Sequence, residues 1–399
     1  MKRRALTPKL RALASAFPAV YLGGPRQSGK TTLARATFPS HPYVSLEDPD
    51  HREFAATDPR GFLARFPTGA VLDEVQRVPS ILSYLQGVID EDRKPGRFIL
   101  TGSQQFLLMQ SVSQSLAGRV AVVTLPPFSL AELTEVSQLD IARFASANPR
   151  RVSPRFSLEW ILRQGLYPAV HETGADAADW MASYYRTYVE RDVRELLAIG
   201  DLEVFGRFVR LCAGRSGQLL NLSSLGSDAG VTHTTARRWL SVLVTSGLVH
   251  LLQPHHANFS KRLIKSPKLY FLDSGLLCYL LRITREAEVA THPLRGAIFE
   301  TFVVSELFKV FAAVGQEPPL FFWRDQSGHE VDVVIDLGGR LIPVEIKSGA
   351  TVAGDFFAGL RYWLTLPGNV EKRGVLVYGG GEPAHTREGH VVRPWCACS

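Results

Sequence analysis

The segment Gly24-Pro25-Arg26-Gln27-Ser28-Gly29-Lys30-Thr31 constrains the fold more than any other part of this chain. Two glycines precede a lysine and a hydroxyl residue, the pattern of a loop whose backbone N–H groups surround a phosphate. Such a loop needs a buried strand before it and a helix after it, and residues 19–22 and 31–36 have those patterns. The sequence therefore predicts an α/β fold that holds the phosphates of a nucleoside triphosphate.

The residue types in this loop also predict how the nucleotide is held. Lys30 would reach the outer phosphates, and the Thr31 hydroxyl would ligate Mg²⁺. We expect ATP and not GTP, because no Asn/Thr-Lys-x-Asp segment suited to reading guanine follows the core strands. The predicted nucleotide-binding residues are Gly24, Pro25, Arg26, Gln27, Ser28, Gly29, Lys30, Thr31 and Thr32.

Polar side chains that follow apolar strands are predicted to complete a hydrolytic site. Asp73 and Glu74 follow residues 70–72; we expect Asp73 beside Thr31 at the metal and Glu74 nearer the γ-phosphate, where it would orient the attacking water. Ser103, in the polar segment after strand 98–100, is expected to sense the γ-phosphate. Arg119 is expected either as an arginine finger, in its own chain or a neighbour's, or as a solvated arginine before a strand.

Length and composition limit the class of protein. A chain of 399 residues is too long for one compact core, and 45% hydrophobic and 21% charged residues are ordinary for a soluble globular protein. No apolar stretch approaches the ~18 residues that span a membrane, so we expect a cytoplasmic protein with no membrane partner. The 4 cysteines are too few and too scattered for a disulfide framework or a zinc module.

Positive charge is concentrated in residues 205–270. The whole chain has a formal charge of +7, and this window contains nine Lys or Arg residues against one acid, Asp228. Its pattern resembles a winged helix-turn-helix, with helices at 222–229 and about 234–245 and a hairpin through 248–252 and 268–271. The predicted DNA contacts are Thr235, Arg237 and Arg238 in the major groove and Lys261 and Arg262 on the wing. The alternative is a module that packs between domains and has a solvated basic face.

A second group of acidic residues lies near the carboxyl terminus. Residues 321–324, 330–335 and 341–347 have the pattern of three successive strands between two helices. Asp332, Glu345 and Lys347, with Glu300 on the first helix, are the residue types that a metal-dependent nuclease needs. Glu345 and Lys347 should share a face, because residues two apart on a strand point the same way. The alternative is an ion pair on the surface of a strand.

These motifs together resemble the bacterial and archaeal AAA-type ATPases that carry a C-terminal domain of unknown function. The resemblance rests on the phosphate loop and on residues 71–76, 100–103, 116–119, 127–132, 188–192, 270–276, 296–300, 323–324, 330–332 and 344–347. It implies a five-stranded AAA+ core, a helical region, a winged helix and a terminal α/β domain similar to the PD-(D/E)xK restriction-endonuclease fold. We place these at residues 1–135, 136–204, 205–285 and 290–380, with 381–399 as a tail. Relatives of this type often assemble, so a homo-oligomer with Arg119 at a subunit boundary is expected.

The sequence supports three hypotheses of function. The first is an ATPase whose nucleotide state moves the helical and winged-helix domains relative to the terminal domain, with DNA as its target. The second is a Mg²⁺-dependent DNA endonuclease that ATP regulates, with Asp332, Glu345 and Lys347 in its site. The third is a nucleotide switch that recruits a protein partner through the winged helix.

Overall fold

The computed structural model describes residues 2–103, 116–146, 155–190, 202–255, 265–367 and 369–399. The chain divides into two compact units. The first contains Met1–Phe128 with the short segments Thr245–Gly247 and Phe311–Glu317, and the second contains Ser129–Val244, Leu248–Val310 and Pro318–Ser399. The second unit therefore includes nearly all of the residues assigned from sequence to the helical region, the winged helix, the terminal domain and the tail.

The first unit is built on a five-stranded parallel sheet. Its strands are β1 (Ala19–Gly23), β2 (Tyr43–Ser45), β3 (Ala70–Asp73), β4 (Phe98–Thr101) and β5 (Val120–Thr124), in the order β2-β3-β4-β1-β5. Every neighbouring pair is parallel. The structure thus confirms the predicted α/β core and its five strands.

Helices cover both faces of this sheet, which is why its central strands are apolar throughout. The helices are Thr7–Ala14, Lys30–Thr37, Pro49–Thr57, Pro59–Ala64 and Ile81–Glu91, with a 3-10 turn at Val75–Arg77. Alternate residues of β1 enter different cores: Ala19 and Tyr21 pack on one face, and Val20 and Leu22 on the other. Because all the strands are parallel, their carboxyl ends form one edge of the sheet, and the phosphate loop that follows β1 lies at that edge.

The second unit contains an eight-stranded mixed sheet. Its strands are β6 (Val249–Pro254), β7 (Lys268–Phe271), β8 (Leu320–Arg324), β9 (Glu330–Asp336), β10 (Leu341–Lys347), β11 (Val375–Tyr378), β12 (His385–Arg387) and β13 (His390–Pro394), in the order β12-β13-β11-β10-β9-β8-β6-β7. The antiparallel hairpin β6–β7 joins the other strands through the pairs Gln253–Phe321 and Pro254–Phe322. Segments that the sequence suggested as two domains therefore share one sheet.

The remaining helices surround this sheet or precede it in the chain. They are Leu130–Thr134, Leu158–Gln164, Pro168–Glu172, Ala177–Tyr184, Leu202–Gly214, Leu222–Ala229, His233–Thr245, Ser274–Leu280, Glu286–Thr291, Arg295–Ala313 and Ala358–Leu364, with 3-10 turns at Ile141–Arg143, Gly354–Phe357 and Trp395–Ala397 and a π-helical segment at Tyr185–Glu190. Leu222–Ala229 has the predicted bounds, because Asn221 caps it by accepting from Ser224 N at 3.0 Å and Gly230 ends it at a φ of 79°. No helix in the described ranges is both long and apolar enough to cross a membrane.

The prediction of a carboxyl-terminal tail at residues 381–399 is wrong. This segment contains β12 and β13, and β13 pairs with β11 in parallel and with β12 in antiparallel register. Val391, Val392 and Trp395 are buried, and so are Cys396 and Cys398, both free thiols. The apolar side chains of the last strand complete the core, which explains why the segment does not remain free.

Candidate functional site

The phosphate loop is held by backbone geometry that only glycine accommodates at its first position. Gly24 has a φ of 145°, and a Cβ there would lie 2.3 Å from the Leu125 carbonyl oxygen. The Lys30 Nζ donates to the carbonyl oxygens of Gly24 at 3.2 Å and Pro25 at 2.8 Å. Burial lowers the pKa of Lys30 to about 8, and the nearby carboxylates of Glu74 and Asp73 oppose that effect. A buried ammonium group thus lies beneath the loop.

An arginine from the amino-terminal segment braces the same loop. Arg4 Nη1 donates to the Ser28 carbonyl oxygen at 2.7 Å, and its Nη2 donates to the Pro126 carbonyl oxygen at 2.7 Å. Arg4 is buried, and its guanidinium also lies 4.9 Å from the ring centroid of Phe128. Sequence analysis missed this residue, because a basic start to a chain carries no signal of which backbone carbonyls it meets.

Asp73, at the carboxyl end of β3, is surrounded by hydroxyl donors. Thr31 Oγ1 lies 3.0 Å from both of its carboxylate oxygens, and Tyr43 OH donates to Oδ2 at 2.7 Å. Thr101 Oγ1, at the end of β4, donates to Oδ1. The structure brings Thr31 and Asp73 together as the metal prediction requires. Tyr43 and Thr101 were not among the predicted site residues.

Tyr43 was missed because β2 is only three residues long and has no strong apolar pattern. Its register against β3 pairs Tyr43 with Val71 and Ser45 with Asp73, which brings the phenol within reach of the carboxylate. Burial raises the pKa of Tyr43 to about 12, and its hydrogen bond to Asp73 adds to that shift. The phenol is therefore a proton donor to Asp73 at neutral pH.

Glu74 follows β3 in a left-handed backbone conformation, with a φ of 58°. A non-glycine residue there costs free energy, and such conformations cluster at functional sites. Burial raises the pKa of Glu74, and the charge of Lys30 counters that shift. Gln76 Nε2 donates to Glu74 Oε2. The predicted catalytic carboxylate is thus positioned by a strained turn, near the ammonium group of Lys30.

Ser103 and Arg119 lie at opposite edges of the sheet. Ser103 follows β4 at the carboxyl edge, is 2% exposed, and its Oγ has no hydrogen-bond partner within the described ranges. Arg119 precedes β5 at the amino edge, where its Nε and Nη2 donate to the Asp90 carboxylate at 2.9 and 2.7 Å. The phosphate loop is at the carboxyl edge, so Arg119 does not lie near the phosphate loop of its own chain. The structure therefore does not support Arg119 as an arginine finger within its own chain. The role in a neighbouring chain stays a prediction.

The acidic residues of the second unit converge around two lysines. Lys268 Nζ on β7 lies 3.2 Å from Glu300 Oε1 and also contacts Glu330 Oε1. Lys347 Nζ lies 2.5 Å from Glu345 Oε1 and 3.8 Å from Asp332 Oδ2. These residues, with Tyr270 and Arg324, are called the acidic cluster below. Glu330 and Lys268 were not predicted as members, since nothing in the sequence links β7 to β9.

The electrostatics of the acidic cluster favour charged lysines. Burial alone would lower the pKa of Lys268, but the carboxylates of Glu300, Asp332 and Glu330 raise it above its ordinary value. Burial raises the pKa of Glu345 to about 8, and repulsion from Asp332 adds to the shift. Among the described residues, no three His, Cys, Asp or Glu side chains are arranged to hold a metal ion. The predicted nuclease residues are therefore close to one another, and Lys347 contacts the carboxylates of both Glu345 and Asp332.

The basic helix, His233–Thr245, presents two of the predicted DNA-contacting arginines to solvent. Arg237 and Arg238 are exposed, and Thr235 is half-buried near the amino end. On the opposite side Trp239 packs edge-on against Phe205 and Phe208, with ring centroids 5.2 and 5.4 Å apart. This packing fixes which face of the helix points outward. Lys261 and Arg262 lie outside the described residues.

Comparison with known protein families divides the chain into three matched regions. Residues 16–134 match an AAA domain, residues 155–287 a domain of unknown function (DUF8612), and residues 295–397 a domain of unknown function (DUF4143). The proteins named Uncharacterized protein Rv2008c of Mycobacterium tuberculosis and Uncharacterized protein Mb2031c of Mycobacterium bovis are each 34% identical over 354 residues, covering 88% of this chain and 75% of theirs. This chain belongs to their family. It is an AAA-type ATPase with a C-terminal DUF4143 domain, as the resemblance of its motifs implied.

Solved structures similar to this chain include one from Pyrococcus abyssi and one from Aeropyrum pernix. The Walker-type ATPase PABY2304 of Pyrococcus abyssi is 13% identical and covers 69% of this chain and 94% of its own, with a TM-score of 0.43. The ORC2 protein of Aeropyrum pernix in its ADP form is 16% identical and covers 62% of this chain and 84% of its own, with a TM-score of 0.31.

Proposed function

We propose that this protein binds ATP with Mg²⁺ at the phosphate loop, hydrolyses it, and uses the nucleotide state to control contact with DNA. The observation that carries the first part is the approach of Thr31 Oγ1 to both oxygens of Asp73, 3.0 Å each, beside the buried ammonium of Lys30. A hydroxyl and a carboxylate at this position are the hard oxygen donors that Mg²⁺ prefers. The residues present therefore fit the metal.

Each residue of the site has a defined task in this proposal. Lys30 and the backbone N–H groups of residues 24–32 hold the phosphates, and Thr31 and Asp73 hold Mg²⁺. The metal, when bound, neutralises charge on the phosphates. Glu74 orients the attacking water and takes up its proton, for which its raised pKa makes it a stronger base than an ordinary glutamate. Ser103 contacts the γ-phosphate through its buried hydroxyl.

We assign the DNA contact to the basic helix. Arg237 and Arg238 are exposed on this helix, and Arg207 and Arg210 are exposed on Leu202–Gly214. Trp239 anchors the opposite face in the core of the three-helix segment. An exposed basic helix that follows a shorter helix and a tight turn is the arrangement by which helix-turn-helix proteins enter the major groove.

Arg119 fits a role between subunits. It lies at the amino edge of the sheet, where it could reach the phosphate of a neighbouring chain but not its own. Its pairing with Asp90 would then be exchanged for the phosphate on assembly. This role predicts that the wild type assembles in the presence of ATP. It also predicts that the Arg119→Ala variant still assembles but does not hydrolyse ATP.

Two other functions have support in particular observations. An ATP-regulated DNA endonuclease is favoured by the contacts of Lys347 with Glu345 and Asp332, the residue types of a PD-(D/E)xK site. We rank it second because both lysines of the acidic cluster engage the carboxylates that a metal would need. A switch that recruits a protein through the basic helix would use the same exposed arginines, and salt dependence separates it from DNA binding.

The ATPase assignment is tested with two substitutions that have different expected effects. Lys30→Ala should abolish tight ATP binding, whereas Glu74→Gln should keep binding and lower hydrolysis by about 10²–10⁴-fold. Binding is measured with a fluorescent ATP analogue and hydrolysis by phosphate release, with Lys94→Ala, at an exposed position, as a surface control. Full turnover in both variants would refute the assignment.

The DNA assignment is tested by the salt dependence of binding. A duplex should bind the wild type with an affinity that falls steeply between about 50 and 200 mM salt, and the double variant Arg237→Ala/Arg238→Ala should bind more weakly and with a shallower slope. Arg143→Ala/Arg155→Ala is the matched control for net charge. Unchanged binding in the basic-helix variant would assign the arginines to a protein partner or to solvent.

A further inference from the structure

The acidic cluster contains four carboxylates and three cationic side chains. The carboxylates are Glu300, Glu330, Asp332 and Glu345, and the cationic groups are Lys268, Lys347 and Arg324. We propose that the ammonium group of Lys268 takes the position of a divalent cation in this cluster, so that the terminal domain has a cation built into its chain and binds no catalytic metal. This inference goes beyond the proposed function and does not depend on it.

The contacts of Lys268 are those of a central cation. Its side chain is 4% exposed, and its Nζ lies 3.2 Å from Glu300 Oε1 and contacts Glu330 Oε1. The ring of Phe322 lies beneath it, with the centroid 5.6 Å from Nζ. The ammonium therefore joins carboxylates from a helix and a strand and is shielded from water on the remaining side.

Other donors engage the same carboxylates. Tyr270 OH donates to Glu300 Oε1 at 2.5 Å, and Arg324 Nη1 lies 3.1 Å from Glu330 Oε2. The backbone N–H of Ile346 donates to Asp332 Oδ2 at 2.8 Å. The Oε2 of Glu345 is buried and has no hydrogen-bond partner within the described ranges. Mg²⁺ in proteins is usually held by one or two carboxylates and several waters, and here each of the four carboxylates already has an oxygen bonded to a cation or a donor of the chain itself.

The charges agree with the contacts. Four carboxylates against three cationic side chains leave at most one negative charge, and the raised pKa of Glu345 makes this residual charge smaller still. A divalent cation added here would be repelled by the ammonium group of Lys268 and would compete with Lys268 and Lys347 for the same carboxylates. The donor set of this domain therefore does not fit the metal that a PD-(D/E)xK site requires.

The position of Lys268 in the sheet gives the built-in cation a structural task. Lys268 is on β7 and Glu330 is on β9, and β6 and β8 lie between these strands. Among the described residues, the ladder that joins β6 to β8 consists of the pairs Gln253–Phe321 and Pro254–Phe322. Lys268 thus ties the hairpin to the terminal strands across the face of the sheet, where backbone pairing is short.

Manganese binding to the full-length Lys30→Ala protein tests the proposal, because this background lacks the phosphate-loop lysine and the experiment uses no nucleotide. Free Mn²⁺ is counted by electron paramagnetic resonance during titration. We expect no Mn²⁺ site in Lys30→Ala that depends on Asp332 or Glu345. Adding Lys268→Met should create a Mn²⁺ site, and adding Asp332→Asn to that variant should remove it again. Lys268→Arg is the matched control and should bind no Mn²⁺.

Two results would overturn the proposal. One is a Mn²⁺ site in Lys30→Ala that Asp332→Asn or Glu345→Gln abolishes, since a metal would then bind beside Lys268. The other is a folded Lys268→Met variant that gains no Mn²⁺ site. If Lys268→Met does not fold, Lys268→Met/Glu300→Gln removes the unpaired charge as well, and the Lys30→Ala titration decides whether the cluster binds metal.

Discussion

The nucleotide site and the acidic cluster both combine lysines with carboxylates on strands, but the partners of the carboxylates differ. Asp73 accepts from the hydroxyls of Thr31, Tyr43 and Thr101, all neutral donors. Lys30 donates instead to the carbonyl oxygens of its own loop. In the acidic cluster the carboxylates of Glu300 and Glu345 contact Lys268 and Lys347 directly.

This difference shows how the same residue types lead to different chemistry. A carboxylate bonded to hydroxyls keeps its negative charge available for a cation, whereas a carboxylate paired with a buried lysine has been neutralised by the chain itself. Acid-x-Lys patterns in a sequence do not distinguish the two cases. The partner of each carboxylate does.

Removing the ammonium group of Lys268 should have the largest effect, and it tests whether the carboxylates of the acidic cluster depend on the lysines of the chain. Lys268→Met should lower the free energy of unfolding of the second unit by about 3–5 kcal/mol, because it leaves buried carboxylates unpaired. Urea unfolding followed by tryptophan fluorescence measures the change. Lys94→Met, which removes an exposed ion pair with Asp92, should leave the urea midpoint unchanged. Equal midpoints for Lys268→Met and the wild type would contradict a structural tie.

A matched pair of aspartate substitutions should separate the two regions by activity. Asp73→Asn should lower Mg²⁺-dependent ATP hydrolysis by about 10²–10³-fold, because one oxygen ligand and a charge at the metal are lost. Asp332→Asn should leave the rate within about twofold of the wild type, since its carboxylate contacts Lys347 and the Ile346 N–H. Phosphate release at saturating ATP measures both. A comparable loss in Asp332→Asn would show that the two regions act as one site.

The smallest expected effect is a pH dependence of nucleotide affinity. Burial lowers the pKa of Lys30 to about 8, so the ammonium group loses its proton as the pH rises through that value. ATP affinity should therefore be constant below about pH 7 and should weaken by up to about tenfold for each pH unit above 8. Titration with a fluorescent ATP analogue from pH 6 to 9.5 measures it, and Lys30→Arg should show no such dependence. A flat profile in the wild type would contradict a lysine that loses its proton near pH 8.

Much of the nucleotide site was predictable because it is encoded in a contiguous segment. The loop from Gly24 to Thr31 has its own geometry, and Asp73 and Glu74 follow a strand that any parallel sheet brings to the same edge. Tyr43 was not predictable, since its contact with Asp73 depends on the register of a three-residue strand. The role of Arg119 stayed open although its motif is clear, because the edge of the sheet at which it lies depends on the direction of β5.

The acidic cluster was predictable only in part. Strand alternation correctly placed Glu345 and Lys347 together, because that relation is local. Lys268 appeared in the sequence as one of many basic residues in the window 205–270, and nothing there linked it to Glu300 or Glu330. Its role depends on the order β9-β8-β6-β7, which only the pairing of distant strands creates.

The sequence by itself therefore determined the α/β core, the phosphate loop, the family and the faces of individual strands and helices, because these depend on local periodicity and on a contiguous motif. The tertiary structure decided that the hairpin shares a sheet with the terminal strands, that the last residues complete that sheet, and that Lys268 meets the carboxylates of Glu300 and Glu330. Those relations join residues far apart in the chain, and their energies come from burial and pairing that no short segment contains.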